Sequence, residues 1–422
     1  MADDRIKIGL IGLGTIGEGV VDVIESKLSD RINIKKIAES DPKKKKLLKK
    51  NYEVTENAYD IINDKSIDIL VELIGGYDPA KEYILEGIRN GKNIVTANKA
   101  VISEFGPEIF EEAKKYEVNV GFEASVGGGM QLISTIKKKL ETNKITKIIG
   151  ILNGTTNYIL TKMNPGLDYN EALKEAQSRG FAEANPDFDV SGKDAAQKLS
   201  ILSSIVFNQY INPREIYCEG ITKITDFDIS SANDSGYVIK LLAIAKKHKD
   251  KLELMVHPTL ISKEHPLAKI SYETNAVYLV GDFFKEELYT GKGAGKDPTA
   301  SAVAYDILDI VKKIKNNTFE EINFHENPKD EIINIDKVKS RWNVKVMSED
   351  VKGVLWRECK AFYDYGINIA GLVQLEKYKD NNFIPDVFIT SEASYGTIKK
   401  VVKKLSDLSN TRKDVAFLRI ED

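Results

Sequence analysis

Cysteine is nearly absent: the 422 residues contain only Cys218 and Cys359. Two thiols so far apart in the chain argue against a disulfide framework and against a thiolate zinc site. Histidine is almost as scarce. His248, His257, His265 and His325 are scattered without ligand spacing, so surface or packing roles are expected for them. Neither charge sign dominates. A formal net charge of −3 gives no basic field for nucleic acid, and no acidic tail is present. No apolar run approaches membrane-spanning length, and the opening MADDRIKIGL is too charged and too short for a signal peptide. The expected location is therefore the cytoplasm. The chain also lacks a G-x-S-x-G elbow and a P-loop. Neither cysteine lies beside a catalytic-looking loop, which sets aside thiohemiacetal chemistry on an aldehyde. What is present is ordinary for a globular chain of two or three domains: 42% apolar and 30% charged residues.

The first informative stretch is IKIGLI over 6–11, a short apolar run that reads as a buried strand. Gly12-Leu13-Gly14-Thr15-Ile16-Gly17 follows, and then a helical pattern with Val20, Val21, Ile24 and Leu28 on one face. A bare G-x-G-x-x-G is weak evidence. Between a strand and a helix it points to a dinucleotide site, with Gly12 for the tight turn, Gly14 for the approach of a pyrophosphate and Gly17 for close packing. The helix N-terminus then faces the phosphates. A second strand, 34–38, ends at Glu39, whose carboxylate can accept from ribose hydroxyls and repels a 2′-phosphate. The lysines of DPKKKK (43–46) could instead attract that phosphate, or simply form a solvated helix face; the acid tips the reading towards NAD over NADP.

Further strand–helix units follow: IDILVELIG (67–75) into a Gly-Gly turn, NIVTANK (93–99), and VNVGFEASV (118–126) into three glycines. Ligands in doubly wound sheets sit beyond the carboxyl ends of the strands. Ile74, Gly75, Thr96 and Lys99 are accordingly candidate cofactor contacts, although Lys99 alone reads equally well as a surface-turn lysine. After about residue 130 the pattern changes to a helix (130–140), a strand (144–154) and Asn153-Gly154-Thr155-Thr156, suited to ligand contact or helix capping. Later segments, 252–261 and 276–284, look β-rich. GKGAGKDPT (291–299) is a second glycine loop feeding a helix near 296–314, expected to return to the nucleotide domain. Residues 316–340 are polar and read as a linker. From Arg341 the order β-α-β-β-α-β suggests a ferredoxin-like domain.

The stretch that organises the chain is 180–198, GFAEANPDFDVSGKDAAQK. Glu183, Asp187 and Asp189 lie on a turn-rich loop, and a helix starting near Lys193 puts Asp194 and Lys198 four residues apart on one face. Any one of these fits an acidic surface loop with an ordinary helical ion pair. Together, spaced carboxylates and a lysine can hold a small zwitterion and move a proton. With other chemistries set aside, hydride transfer by a nicotinamide remains, lysine stabilising or protonating an alkoxide. Convergence of Lys99 and Lys198 would disfavour both charges and move a pKa towards neutrality.

The 180–198 stretch, preceded by Ala176, closely resembles the motif of the homoserine dehydrogenase family, matching at Ala176, Gly180, Phe181, Asn185-Pro186, Asp189, Gly192, Asp194 and Lys198. LNGTTNYIL, TANK, EASVGGGM and GLGTIG are similar to that family's as well, so the likeness spans residues 9 to about 310. DVKGVL…GINI resembles, more loosely, an ACT domain, a small-molecule regulatory module. The resemblance implies an α/β protein: a Rossmann-like doubly wound NAD(P) domain over 1–130, an α+β catalytic and dimerisation domain over 131–315, and a ferredoxin-like ACT domain over 341–422. It implies reversible NAD(P)-dependent interconversion of L-homoserine and L-aspartate 4-semialdehyde, Lys198 being the proton donor and Lys99 a second lysine near substrate and nicotinamide. Glu183 and Asp189 would bind the substrate amino group, and Asp194 would touch the hydroxyl or order the proton path. Gly180 and Gly293 would line the cofactor. Glu123, with the carbonyls of Val126, Gly128 and Met130, would match a monovalent-cation site of the sodium type. A homodimer and feedback by an amino acid, threonine first, complete the implication. A dehydrogenase for another amino-acid aldehyde or 2-amino acid, or a catalytically weak amino-acid sensor, are the competing readings.

Overall fold

The computed structural model describes residues 5–45, 52–164, 166–324 and 329–421. The first four residues, Lys46 of the lysine run and His325 lie outside them.

Six parallel strands form the N-terminal sheet, in the order Glu53–Thr55, Ile32–Ala38, Ile6–Ile11, Ile69–Glu72, Asn93–Thr96, Val120–Gly121. The sequence reverses direction beside the first strand, so the crevice beyond Ile11 and Glu72 is where such a sheet receives a ligand. The central strand Ile69–Glu72 is buried along its whole length, as expected where helices cover both faces of a parallel sheet. One of those helices arrives from far along the chain. Lys296–Lys315 packs on Thr15–Val23, and Ala300, Val303, Ile307 and Ile310 share a core with Ile8, Leu10, Val20 and Val71. The approach is tight, since a Cβ on Gly19 would lie 2.8 Å from that of Ala300.

A second sheet of twelve strands makes up the rest. Its main path runs Glu286–Lys292, Thr274–Gly281, Ile145–Ile151, Tyr237–His248, Lys251–Ser262, Ala416–Glu421, Lys339–Glu349, Phe383–Thr390, Ile369–Gln374. The last four of these, with helices Val354–Tyr363 and Tyr395–Ser406, realise the β-α-β-β-α-β order around Trp342, Val344, Phe362 and Phe388. This unit is fused to the middle of the sheet. Thr259, Leu260 and Ile261 pair in parallel with Arg419, Ile420 and Glu421.

Several details depart from the sequence reading. The helix expected from 130 begins at Leu132, because Gln131 is left-handed at φ +47°. The strand expected over 118–126 covers only Val120–Gly121 before a 3-10 turn, Glu123–Ser125. Residues 316–340 are no simple tether. Asn119 donates to the Thr318 carbonyl and accepts from the Glu320 N–H, Phe324 is buried against Phe110, and Glu331–Ile332 pairs with Lys251–Leu252. No helix among the described residues is long and apolar enough to cross a membrane.

The strand junction carries a buried ionic cluster. Arg419 meets Glu253 at 2.6 Å and Glu421 at 3.2 Å, and Lys246 and Lys147 meet Glu421 at 2.7 and 2.8 Å. Burial raises the Glu421 carboxyl pKa, but the three cations outweigh it and hold the group at about 2. Arg419→Ala leaves two buried carboxylates short of a cation, so it is expected to cost about 3–5 kcal/mol. Urea unfolding at pH 7 measures this. A depressed carboxylate stabilises the fold above its unfolded pKa and ceases to as pH falls through its folded value. The gap between wild type and variant should therefore shrink from pH 5 downward; a gap constant to pH 3 would contradict the assignment.

Candidate active site

The glycine turn keeps its geometry by contact. Gly12 has φ +96°, and a Cβ on Gly17 would lie 2.3 Å from the Gly12 carbonyl oxygen, so neither accepts a side chain. Nothing lies within 4 Å of the Cβ position of Gly14, which faces open space. Leu13 lies between them; Thr15 and Ile16 begin the helix beyond. Gly12, Gly14, Glu39, Lys44, Ile74 and Tyr83 line a cavity of about 360 Å³. Glu39 shapes it, accepting from the Leu13 N–H at 2.8 Å and the Asp41 N–H at 2.9 Å. Burial raises its pKa, but these donors and Lys44 hold it below the usual carboxylate range. Glu39 is thus held as an anion on the wall of this cavity.

Glu72, which the sequence did not single out, organises the neighbouring loop. It is wholly buried and accepts from Ile74, Gly75 and the Thr96 hydroxyl. Burial raises its pKa against those bonds. Thr96 also receives the Asn98 N–H, so its hydroxyl serves the loop. Asn98 caps Lys99–Lys115 through the Val101 N–H and bonds the Gly76 carbonyl. Lys99 is thereby carried on the first residue of a capped helix, pointing at the second sheet's helices.

There the acids and lysines meet. Helix Lys193–Phe207 presents Asp194 and Lys198 on one face. Lys198 Nζ donates to Asp194 Oδ2 at 2.7 Å and to the Leu152 carbonyl at 2.7 Å. Lys99 Nζ lies 3.2 Å from Asp194 Oδ1 and 5.9 Å from the Phe188 ring centre. Asp194 is 4% exposed. Burial alone would raise its pKa; Lys198, Lys99 and Asn153 bring it down to about 2. Asn153 joins the second acid to the group, donating to Asp189 Oδ1 at 2.8 Å and Asp194 Oδ2 at 2.9 Å. Its carbonyl oxygen also caps Gly154–Met163 through the Thr156 N–H. Asp189 accepts from the Thr155 hydroxyl as well, and its pKa is raised by burial and by Asp194. The capping alternative for Asn153 is realised, and the same side chain bridges two carboxylates.

Glu183 is exposed, and its backbone carbonyl accepts from the Gln177 side chain at 3.1 Å. Gly180 turns the chain at φ +75° into open space. Gly293 packs on the buried amide of Asn275, which a Cβ would meet at 2.1 Å. Glu123 is buried and accepts from the Ile133 and Ser134 N–H groups at the start of Leu132–Leu140, while Val126, Gly128 and Met130 follow on an irregular stretch with left-handed Gly127 and Gly128. Among the described residues no group of three or more His, Cys, Asp or Glu side chains could hold a metal. The implied set is one carboxylate and three carbonyls, hard oxygen donors of low charge.

Comparisons with known proteins identify the family to which this arrangement belongs. Residues 12–123 match the family model for the homoserine dehydrogenase NAD binding domain, and 132–308 match that for homoserine dehydrogenase. The homoserine dehydrogenase of Synechocystis is 38% identical, over 98% of this chain and 99% of its own. That of Bacillus subtilis is 35% identical over 99% and 98%. This chain belongs to the homoserine dehydrogenase family. It is an oxidoreductase acting on a CH–OH group. The crystal structure of the family member from Thiobacillus denitrificans aligns with a TM-score of 0.92 at 35% identity, covering 99% of this chain and 98% of that one. A hyperthermophilic archaeal homoserine dehydrogenase mutant in complex with NADPH aligns at 0.65, with 25% identity over 76% of this chain and all of its own.

Asn153→Ala removes both a helix cap and the donor shared by Asp189 and Asp194. The cap is expected to cost about 1–2 kcal/mol in urea unfolding. The shared donor should show separately as a fall of tenfold or more in kcat/KM for homoserine. Lost stability with kcat/KM unchanged would reduce Asn153 to a cap.

Proposed function

We propose that the chain interconverts L-homoserine and L-aspartate 4-semialdehyde with Lys198 as the proton donor. One observation carries this. A lysine ammonium has three N–H bonds, and the Leu152 carbonyl and Asp194 take two of those of Lys198, leaving one for a substrate oxygen. A nicotinamide held by the glycine turn would supply the hydride to the aldehyde carbon. Lys198 gives its proton to the carbonyl oxygen as that oxygen becomes an alkoxide, and takes it back in the oxidative direction. Asp194, held ionised by its cations, fixes Lys198 and, through its other oxygen, Lys99. Lys99 adds positive charge where substrate and nicotinamide meet. Asp189, with Glu183 from the exposed loop, receives the substrate ammonium.

The glycine turn, with Leu13, Thr15, Ile16, Ile74, Gly75, Gly180 and Gly293, would hold the dinucleotide. The cavity over Gly14 and the ionised Glu39 favour NAD over NADP. Glu123 with the carbonyls of Val126, Gly128 and Met130 would hold a sodium-type cation, whose part would be to fix the Gly127–Met130 stretch. Our reading also includes a homodimer built through the middle domain. The C-terminal unit, with its β-α-β-β-α-β order, is read as an ACT-type regulatory domain answering to an amino acid, threonine being the first to try.

Homoserine oxidation followed at the nicotinamide absorbance tests the centre. Lys198→Ala should lower kcat by about 10²–10⁴, the usual contribution of a positioned acid–base group, with nucleotide binding retained. An active variant would move the proton path to Lys99 or water. For the cofactor, wild type should favour NAD in kcat/KM, and Glu39→Gln should lower the NAD:NADP ratio by about tenfold, equivalent to ~1.4 kcal/mol of lost repulsion. An unchanged ratio would remove Glu39 from cofactor choice.

A further inference from the structure

The amide and hydroxyl side chains around the Lys198–Asp194–Lys99 triad are committed to protein partners. Asn153 donates to both carboxylates and accepts from the Thr156 N–H. Thr96 donates to Glu72 and accepts from the Asn98 N–H. The Asn98 amide is divided between the Val101 N–H and the Gly76 carbonyl. Thr155 is taken by the Phe181 carbonyl and Asp189. Gln197 is the exception. Its Nε2 donates to the Tyr77 hydroxyl at 3.1 Å, while its Oε1 is buried with no hydrogen-bond partner among the described residues. The whole residue is 6% exposed, and native structures rarely leave such an acceptor bare without a use for it.

Tyr77 offers the complement. A phenol carries one proton and accepts through its oxygen. Gln197 occupies the oxygen, so the proton remains to be given. Burial and the charge of Glu104 raise the Tyr77 pKa, which keeps that proton in place at neutral pH. The side chain lies on the loop beyond the carboxyl end of Ile69–Glu72, where such a sheet receives its ligand. The loop is set before a ligand arrives. Glu72 receives the Ile74 and Gly75 N–H groups, Asn98 holds the Gly76 carbonyl, and the Tyr77 ring stands edge-on to Phe105 with 6.0 Å between centres. Gln197 and Tyr77 are therefore an acceptor and a donor side by side, one from each half of the molecule.

An acceptor next to a donor is the complement of a primary carboxamide, which presents an N–H and a C=O on one carbon. Position selects the same group. Gln197 precedes Lys198 and follows Asp194 by three residues on one helix, which makes it a surface neighbour of Asp194. With Lys198 donating to the reacting oxygen of the substrate, hydride transfer requires the nicotinamide C4 at about 3–3.5 Å from the carbon that bears this oxygen. The carboxamide of a nicotinamide is carried on the ring atom next to C4. It falls within a side chain's reach of Lys198, in the crevice that Gln197 and Tyr77 bridge.

We propose that Gln197 and Tyr77 form the subsite for the cofactor's carboxamide, Gln197 Oε1 accepting from the amide N–H and the Tyr77 hydroxyl donating to the amide oxygen. The pair fixes the rotation of the nicotinamide ring, and with it the face turned to the substrate. The subsite rests on Lys198 as proton donor, which sets where C4 lies.

Calorimetric titration of the full-length protein, without homoserine, compares NAD with 3-acetylpyridine adenine dinucleotide, in which a methyl group replaces the amide nitrogen. Gln197→Met should weaken NAD binding by about three- to tenfold, the worth of one hydrogen bond, and leave the analogue unchanged because it has no N–H to lose. Tyr77→Phe should weaken both nucleotides by a similar factor, since both keep the carbonyl. A Gln197→Met effect equal on the two nucleotides would reduce Gln197 to a strut of the joint and overturn the subsite. So would a Tyr77→Phe protein that binds both as tightly as wild type. Binding is read without turnover, which separates the two readings. An active Lys198→Ala protein with this pattern intact would move the proton path and leave the subsite standing, whereas a missing pattern beside an inactive Lys198→Ala would remove the subsite alone.

Discussion

Asp194 is an ionised carboxylate almost wholly removed from water, and the catalytic half of the molecule is built to keep it so. Desolvation of such a group costs several kcal/mol unless partners replace the lost water. Lys198, Lys99 and Asn153 are those partners. They arrive from three places: the same helix, the last helix-start of the N-terminal sheet, and a loop of the second sheet. The triad is therefore also a joint between the two sheets. A change in how the sheets sit would leave the carboxylate short of a cation, so chemistry and architecture constrain each other at one atom group. Gln197 adds to the joint by donating to the Tyr77 hydroxyl, and the helix Lys296–Lys315 ties the chain back into the first core.

The arrangement separates roles by environment. Asp189 and Asp194 are bridged by one amide, yet their carboxyls are pushed in opposite directions, Asp194 down by two cations and Asp189 up by burial and by Asp194 itself. Paired acids with opposed shifts allow one to stay a fixed anion while the other answers to a ligand's charge. A substrate ammonium placed beside Asp189, as proposed above, would supply the positive charge that carboxyl lacks.

Features governed by local rules were legible in the residues alone. The glycine turn was, because Gly12 and Gly17 meet a steric requirement set by their own neighbours. The Asp194–Lys198 pair was, because a spacing of four on a helix has one geometric meaning. Asn153 was seen only as a capping or contact residue, since its bridge reaches 36 and 41 residues along the chain. Glu72 is locally an acid at a strand end, and nothing in that pattern marks it as the buried acceptor for a loop. The strand Tyr237–His248 went unassigned: YVIKLLAIAKKH is too continuously apolar to show a period of two, and fits a buried helix as well as a buried strand. The polar stretch 316–340 misled because hydrophilic composition says nothing about edge pairing such as Glu331–Ile332 beside Lys251.

The join of the C-terminal unit to the long sheet is the clearest case of information held only in the tertiary structure. Three residues, Arg419 to Glu421, pair with three, Thr259 to Ile261. A parallel ladder that short fixes register poorly by backbone bonds alone. A slip of one residue would turn Arg419 and Glu421 to the opposite face of the sheet, away from Glu253, Lys246 and Lys147. Each would then be a buried charge without its partner, a penalty far larger than the bonds gained by any alternative pairing. Apolar residues at these positions could pack as tightly but would tolerate the slip. The ionic cluster thus sets where the C-terminal unit stands, and with it the position of Phe417 and Tyr395 against Tyr217. The packing of Tyr395 on Tyr217 thus follows from a register choice made by charge.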